Sequence, residues 1–137
     1  MPANTTPIYT ATPDVQWTAA ALATGNTTKD GTAGTTLVFT AGANGSFLHK
    51  LVLKPTGTNV ASLVRVFLNN GLTNGTAANN SLVADAGLPA TTNSEVAGNV
   101  VVEVPLNYAV PAGYRVYAVL ATTVAAGWQV TAVGGDY

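Results

Sequence analysis

The chain has 137 residues, enough for one domain with its own core and too few for two of ordinary size. It is 47% apolar but only 8% charged, against roughly 25% in typical soluble domains, and five basic and six acidic residues leave a net charge of −1. Scattered Lys29, Lys50, Lys54, Arg65 and Arg115 exclude the basic stripe of a nucleic-acid binder, and the lack of cysteine excludes disulfides and thiolate metal sites.

The N-terminal segment "MPANTTPIYTATP" carries Pro2, Pro7 and Pro13. Proline fixes φ and pushes the preceding residue towards extended geometry, so residues 1–13 are expected to form an extended arm and residues 14–137 the folded domain. The segment has neither the basic n-region nor the apolar h-region of a secretory signal, and no run approaches the roughly 20 apolar residues of a membrane span. The chain is therefore expected to be soluble and made without an export tag.

From Asp14 onwards, strand-like runs of about six residues alternate with Gly, Asn or Pro. "DVQWTAAALAT" (Asp14–Thr24) is read as a strand because Val15, Trp17 and Ala19 alternate, although its alanines also suit a helix. "TTLVFT" (Thr35–Thr40) is short and β-branched. "SFLHKLVLK" (Ser46–Lys54) sets Phe47, His49, Leu51 and Leu53 on one face. "SLVRVFL" (Ser62–Leu68) groups Val64, Val66 and Leu68, with Leu63, Arg65 and Phe67 opposite. "SLVADAGL" (Ser81–Leu88), "VVVEVPL" (Val100–Leu106), "YRVYAVL" (Tyr114–Leu120) and "WQVTAV" (Trp128–Val133) complete the set. About eight short strands with turn signals between them predict an all-β fold, a single antiparallel β-sandwich of the jelly-roll kind.

The charges suggest a register. A hairpin centred near Gly75 brings Leu68 to Leu82, Val66 to Ala84 and Arg65 to Asp85. The same arithmetic about Ala109 brings Arg115 to Glu103. Such cross-strand pairs contribute a few tenths to about 1 kcal/mol and set register more than stability.

Chemistry is sparse. His49 is the one histidine; it falls on the apolar face of a strand and is expected to be structural, buried or at an interface. The acids Asp14, Asp30, Asp85, Glu95, Glu103 and Asp136 never cluster in sequence, whereas a glycosidase needs two carboxyls about 5 to 9.5 Å apart. Asp30-Gly31 and Asn44-Gly45 read as turns rather than calcium or phosphate sites. The N-x-S/T matches at Asn4, Asn26, Asn44, Asn74 and Asn79 read as chance in an Asn- and Thr-rich chain. Both tryptophans, Trp17 and Trp128, are expected in the core. The sequence thus predicts no enzyme, cofactor, metal, small-molecule substrate, nucleic acid or membrane.

The strings "FTAGANGSFLHKLVLKPTGTN", "VRVFLNNG", "LPATT" and "VPAGYRVYAVL" together resemble a pattern of small structural proteins of tailed-bacteriophage virions. In those chains an AGxNGS turn precedes a strand, an RxFxxxG strand ends in a variable loop, and LPAGY opens a late strand. The matching positions run from Thr40 to Leu120, with Val110 replacing the leucine of LPAG. The resemblance implies a capsid decoration or cement protein, or a tail-associated component, located on the virion surface and assembled in the host cytoplasm. It implies the major capsid protein as partner and a homotrimer as the assembly. Low charge agrees, because near-zero net charge favours association. Candidate partner contacts are Pro7, Ile8 and Tyr9 in the arm, Leu72 in the loop "NNGLTNGTAANN", and Tyr137 in the terminal Gly-Gly-Asp-Tyr. The alternative is a tail or spike module for host or carbohydrate recognition, since that uncharged loop suits sugar hydroxyls.

Overall fold

The structure, a computed structural model, describes residues 9–137. Eight strands follow one another: β1 (Thr12–Trp17), β2 (Thr36–Thr40), β3 (Ser46–Pro55), β4 (Ser62–Asn69), β5 (Asn80–Leu88), β6 (Val102–Val110), β7 (Arg115–Leu120) and β8 (Trp128–Asp136). A single 3-10 turn, Ala77–Asn79, is the one helical element among the described residues. The strands form two four-stranded sheets, in the orders β1-β8-β3-β6 and β2-β7-β4-β5, with every named pair antiparallel. The inner faces meet in one core, with Leu51, Leu53, Val104, Trp128 and Val130 from the first sheet and Phe39, Val64, Val66, Val116 and Leu120 from the second. The fold is an all-β, sandwich-like domain, as the turn-punctuated alternation of the sequence implies. β1 begins at Thr12, inside the stretch expected to be an arm, and stops at Trp17, so Thr18–Thr35 is a long connection rather than more strand.

Consecutive strands mostly belong to different sheets, and this corrects one expected pairing. β6 lies in the first sheet and β7 in the second, so Glu103 and Arg115 do not face each other. The "VPAGY" turn carries the chain across the sandwich instead of closing a hairpin. Glu103 lies opposite Val52 and forms an ion pair with Lys50 at 2.9 Å, while Arg115 lies opposite Thr40 and Asn69. The "AGANGS" turn also joins the two sheets. Gly45 adopts φ +88°, and a Cβ there would stand 2.7 Å from the Val110 carbonyl, which leaves glycine as the fitting residue.

β4 and β5 do form a hairpin, with Arg65 opposite Asp85 and Val66 opposite Ala84. Beyond that point a bulge at Val83 shifts the register, so Leu82 meets Phe67 and Leu68 meets Ser81. Arg65 and Asp85 are register partners without an ion pair, for the only salt bridge among the described residues is Lys50–Glu103. The Arg65 guanidinium donates instead to the Asn26 carbonyl at 3.2 Å, tying the β1–β2 connection to the outer face of the second sheet.

A second bulge decides the faces of β3. Leu48 pairs with Gly134 and Lys50 with Val133, so His49 is one residue too many against β8. Upstream of it Ser46 and Leu48 point inward, and downstream Leu51, Leu53 and Pro55 do. His49 is therefore exposed, not on the apolar face where strict alternation sets it. On the other side two residues of β6, Leu106 and Asn107, oppose His49, and Asn107 takes the left-handed φ of 56°. The β3 backbone presses on β8 here, since a Cβ on Gly134 would lie 2.4 Å from the Phe47 carbonyl oxygen. Gly134→Ala is expected to cost about 2 kcal/mol, within the range for forced backbone movement, whereas His49→Ala should stay within about 0.5 kcal/mol of the parent; urea denaturation of the two variants checks both.

Candidate functional site

β1 is an edge strand, paired only with β8. Its alternation turns Asp14 and Gln16 towards β2 and leaves Val15 and Trp17 outward. Trp17 is 64% exposed, which corrects its expected place in the core; Trp128 is wholly buried there. The edge explains the difference. A core tryptophan needs strands on both sides or a facing sheet, and the outward side of β1 has neither. Just before β1, Tyr9 is 77% exposed and lines a shallow hollow of about 210 Å³ with Thr10, Phe47 and Tyr137. Two of the residues expected to contact a partner, Tyr9 and Tyr137, thus come together. Pro7 and Ile8 lie outside the described residues.

Behind this edge sits a polar seam between the sheets. The Gln16 amide copies a strand backbone: Nε2 donates to the Thr40 carbonyl at 2.9 Å and Oε1 accepts from the Thr40 N–H at 3.0 Å. Nε2 also donates to Asp14 at 2.8 Å. Asp136 accepts from the Ser46 hydroxyl, which in turn accepts from the Gly42 N–H at 2.9 Å. Sequence reasoning missed this meeting of Asp14 and Asp136, because β1 and β8 lie at opposite ends of the chain and only their pairing joins them.

Burial pushes the Asp14 carboxyl up from its ordinary value of 3.8; the hydrogen bond from Gln16 opposes that and the negative charge of Asp136 adds to it. A carboxyl raised in the folded state holds a proton that the unfolded chain has already released. Its contribution to stability is therefore complete below pH 3.8 and is lost as pH rises through the elevated folded value. Asp14→Asn is expected to raise the melting temperature at pH 7 and to flatten its fall between acid and neutral pH, with calorimetric scans across that range as the measurement.

At the other end, "NNGLTNGTAANN" is ordered by its own asparagines. Asn69, fully buried, donates to the Asn80 Oδ1 at 2.8 Å and accepts from the Gly71 N–H at 2.8 Å. Asn80 donates to the carbonyls of Asn74 at 2.8 Å and Asp30 at 3.1 Å, which joins the loop to the β1–β2 connection. Asn74 reaches the Thr35 hydroxyl at 3.0 Å. The loop is a cross-braced tip, and it presents Leu72 60% exposed. Asn80→Ala leaves the buried Asn69 amide without its acceptor and should cost about 1–3 kcal/mol, with faster amide exchange in residues 30–35 and 69–80 as its local signature.

Among the described residues no group of three or more His, Asp or Glu is placed to hold a metal, and no helix is long and apolar enough to cross a membrane. No protein-family model, curated protein or solved structure matches the chain. Two surface features stand out in the geometry: the apolar β1 edge with its aromatic hollow, and the braced loop.

Proposed function

We propose that the chain is a structural virion protein of a tailed bacteriophage, a capsid decoration or cement protein that joins the particle surface after assembly in the host cytoplasm. The observation that carries this reading is the exposed edge at Tyr9, Val15 and Trp17 in a chain with so little charge. Soluble monomers rarely leave an aromatic and apolar strip along an unpaired strand, since such edges invite pairing. The strand orders support a jelly roll, in which eight strands fill two four-stranded sheets, and the virion-protein resemblance between Thr40 and Leu120 points the same way. The partner is the major capsid protein, and the assembly is a homotrimer with its N-terminal segment as an arm. Cementing follows by mass action: a protein that binds only the assembled shell stabilises that shell against dissociation.

Deleting residues 1–9 leaves intact the Ala11 N–H bond to the Asp136 carbonyl at 2.7 Å and the whole of β1. The truncated protein is expected to keep its circular-dichroism melt and to lose most of its occupancy on capsids in a co-sedimentation assay. Combining the deletion with Trp17→Ala should abolish attachment. Undiminished occupancy of the doubly altered protein would sink the proposal.

A second reading, a tail or spike module for host or carbohydrate recognition, draws on the same exposed Trp17 and on the hollow lined by Tyr9 and Tyr137, because flat aromatic surfaces suit sugar rings. It predicts glycan binding that Trp17→Ala removes, with no affinity for capsids.

A further inference from the structure

The sandwich has four edge strands, β1 and β2 on one side and β6 and β5 on the other. Three of them are blunted against pairing. β1 carries Pro13 and β6 carries Pro105, neither of which offers an N–H, and the left-handed Asn107 interrupts β6 again. On β2 the Gln16 amide already occupies both backbone groups of Thr40. β5 has no such device over its last five residues. Ala84–Leu88 pairs regularly with β4 and contains neither proline nor a basic residue. Its backbone groups that point away from β4 have no partner among the described residues. The connection that follows is drawn aside, for Thr91 and Asn93 bond to the β3–β4 loop and Lys54 holds the Asn99 carbonyl at 2.7 Å. Asp85 and Gly87 are accordingly exposed. Asp85 also lacks a hydrogen-bonding or ionic partner among the described residues, since Arg65 opposite it donates to the Asn26 carbonyl.

We infer that β5 is an acceptor edge, to which an extended segment of a different protein adds as a fifth strand of the second sheet, with a basic residue set opposite Asp85. An unpaired row of N–H and C=O groups selects a strand over a helix or a lipid surface. The carboxylate selects the charge of that strand, because opposite charges facing each other across strands attract and like charges repel. A second copy of this chain does not meet these demands. Its other edges are blunted, and two β5 edges meeting about a two-fold axis would bring their Asp85 carboxylates together near the centre of the contact. The inference rests on the cementing reading for one point, the source of the strand, which is a shell subunit on the side opposite the β1 edge. Attachment on both sides would tie two neighbouring subunits together through one rigid sandwich.

The edge is tested on the full chain with short blocked peptides of alternating Thr and Val, one with Arg at its centre and its twin with Glu there. Amide exchange followed by NMR should slow in Ala84–Leu88 when the Arg peptide is added, and the Glu peptide should bind about three- to tenfold more weakly. Gly87→Lys places a cation on the edge at a position where an added side chain meets open space. It should abolish the protection and leave the circular-dichroism melt unchanged. No slowing in Ala84–Leu88 at millimolar Arg peptide overturns the inference, as does equal binding of the Glu peptide. In co-sedimentation with capsids Gly87→Lys should lose most of the parent's occupancy, and parental occupancy of this variant overturns a shell subunit as the donor of the strand. A parent that takes up the Arg peptide but ignores capsids upholds the acceptor edge and overturns the cementing role, so the two failures are distinguishable.

Discussion

Leu48 and Leu51 both point into the core although they stand three residues apart on a strand whose side chains alternate with period two. Only an extra residue between them permits this, and His49 is that residue. The rest of the first sheet accommodates it: Asn107 on one neighbour takes up a left-handed backbone, and Gly134 on the other leaves out a side chain where the β3 backbone closes in. The second sheet has its counterparts at Val38 and Val83. Bulges bend and twist strands locally, and here each one also decides which residues downstream of it are inside.

Those bulges also distribute the surface. The one in β5 turns Leu82 outward into line with Phe67, Tyr117 and Leu37. The one in β3 sends His49 to solvent and brings Lys50 beside Glu103. Because the chain carries few charges, side-chain amides do much of the polar bracing that ion pairs would otherwise supply. Gln16 bonds to the β2 backbone as an added strand would. Asn59, buried between loops, accepts from the N–H groups of Ala126 and Gly127 at 2.9 and 2.8 Å and donates to the Gly127 carbonyl at 3.1 Å. Amide bonds made inside the protein satisfy buried polar groups without adding net charge.

In the proposed role the β1 edge, with Val15, Trp17 and the hollow beside Tyr9, is the side turned to the shell. Gln16 and Asp14 keep the inward side of β1 tied to β2 and β8, so the edge offers its apolar side as part of a rigid body.

The sequence alone determined the class of fold and most of the strand positions, because period-two alternation and turn residues are local properties of the chain. It also determined the β4–β5 register near Arg65 and Asp85, since the two segments follow each other directly along the chain and form one hairpin. What only the tertiary structure decided is which strands are neighbours and which side of each strand is buried. Glu103 and Arg115 follow each other along the chain yet lie in different sheets, and Asp14 and Asp136 are nearly a chain length apart yet adjoin. Trp17 and Trp128 are chemically alike, but one stands on an outward edge and the other between two sheets. Burial of this kind is a property of the neighbours. A bulge of one residue, invisible to a pattern read along a single strand, is enough to exchange inside for outside.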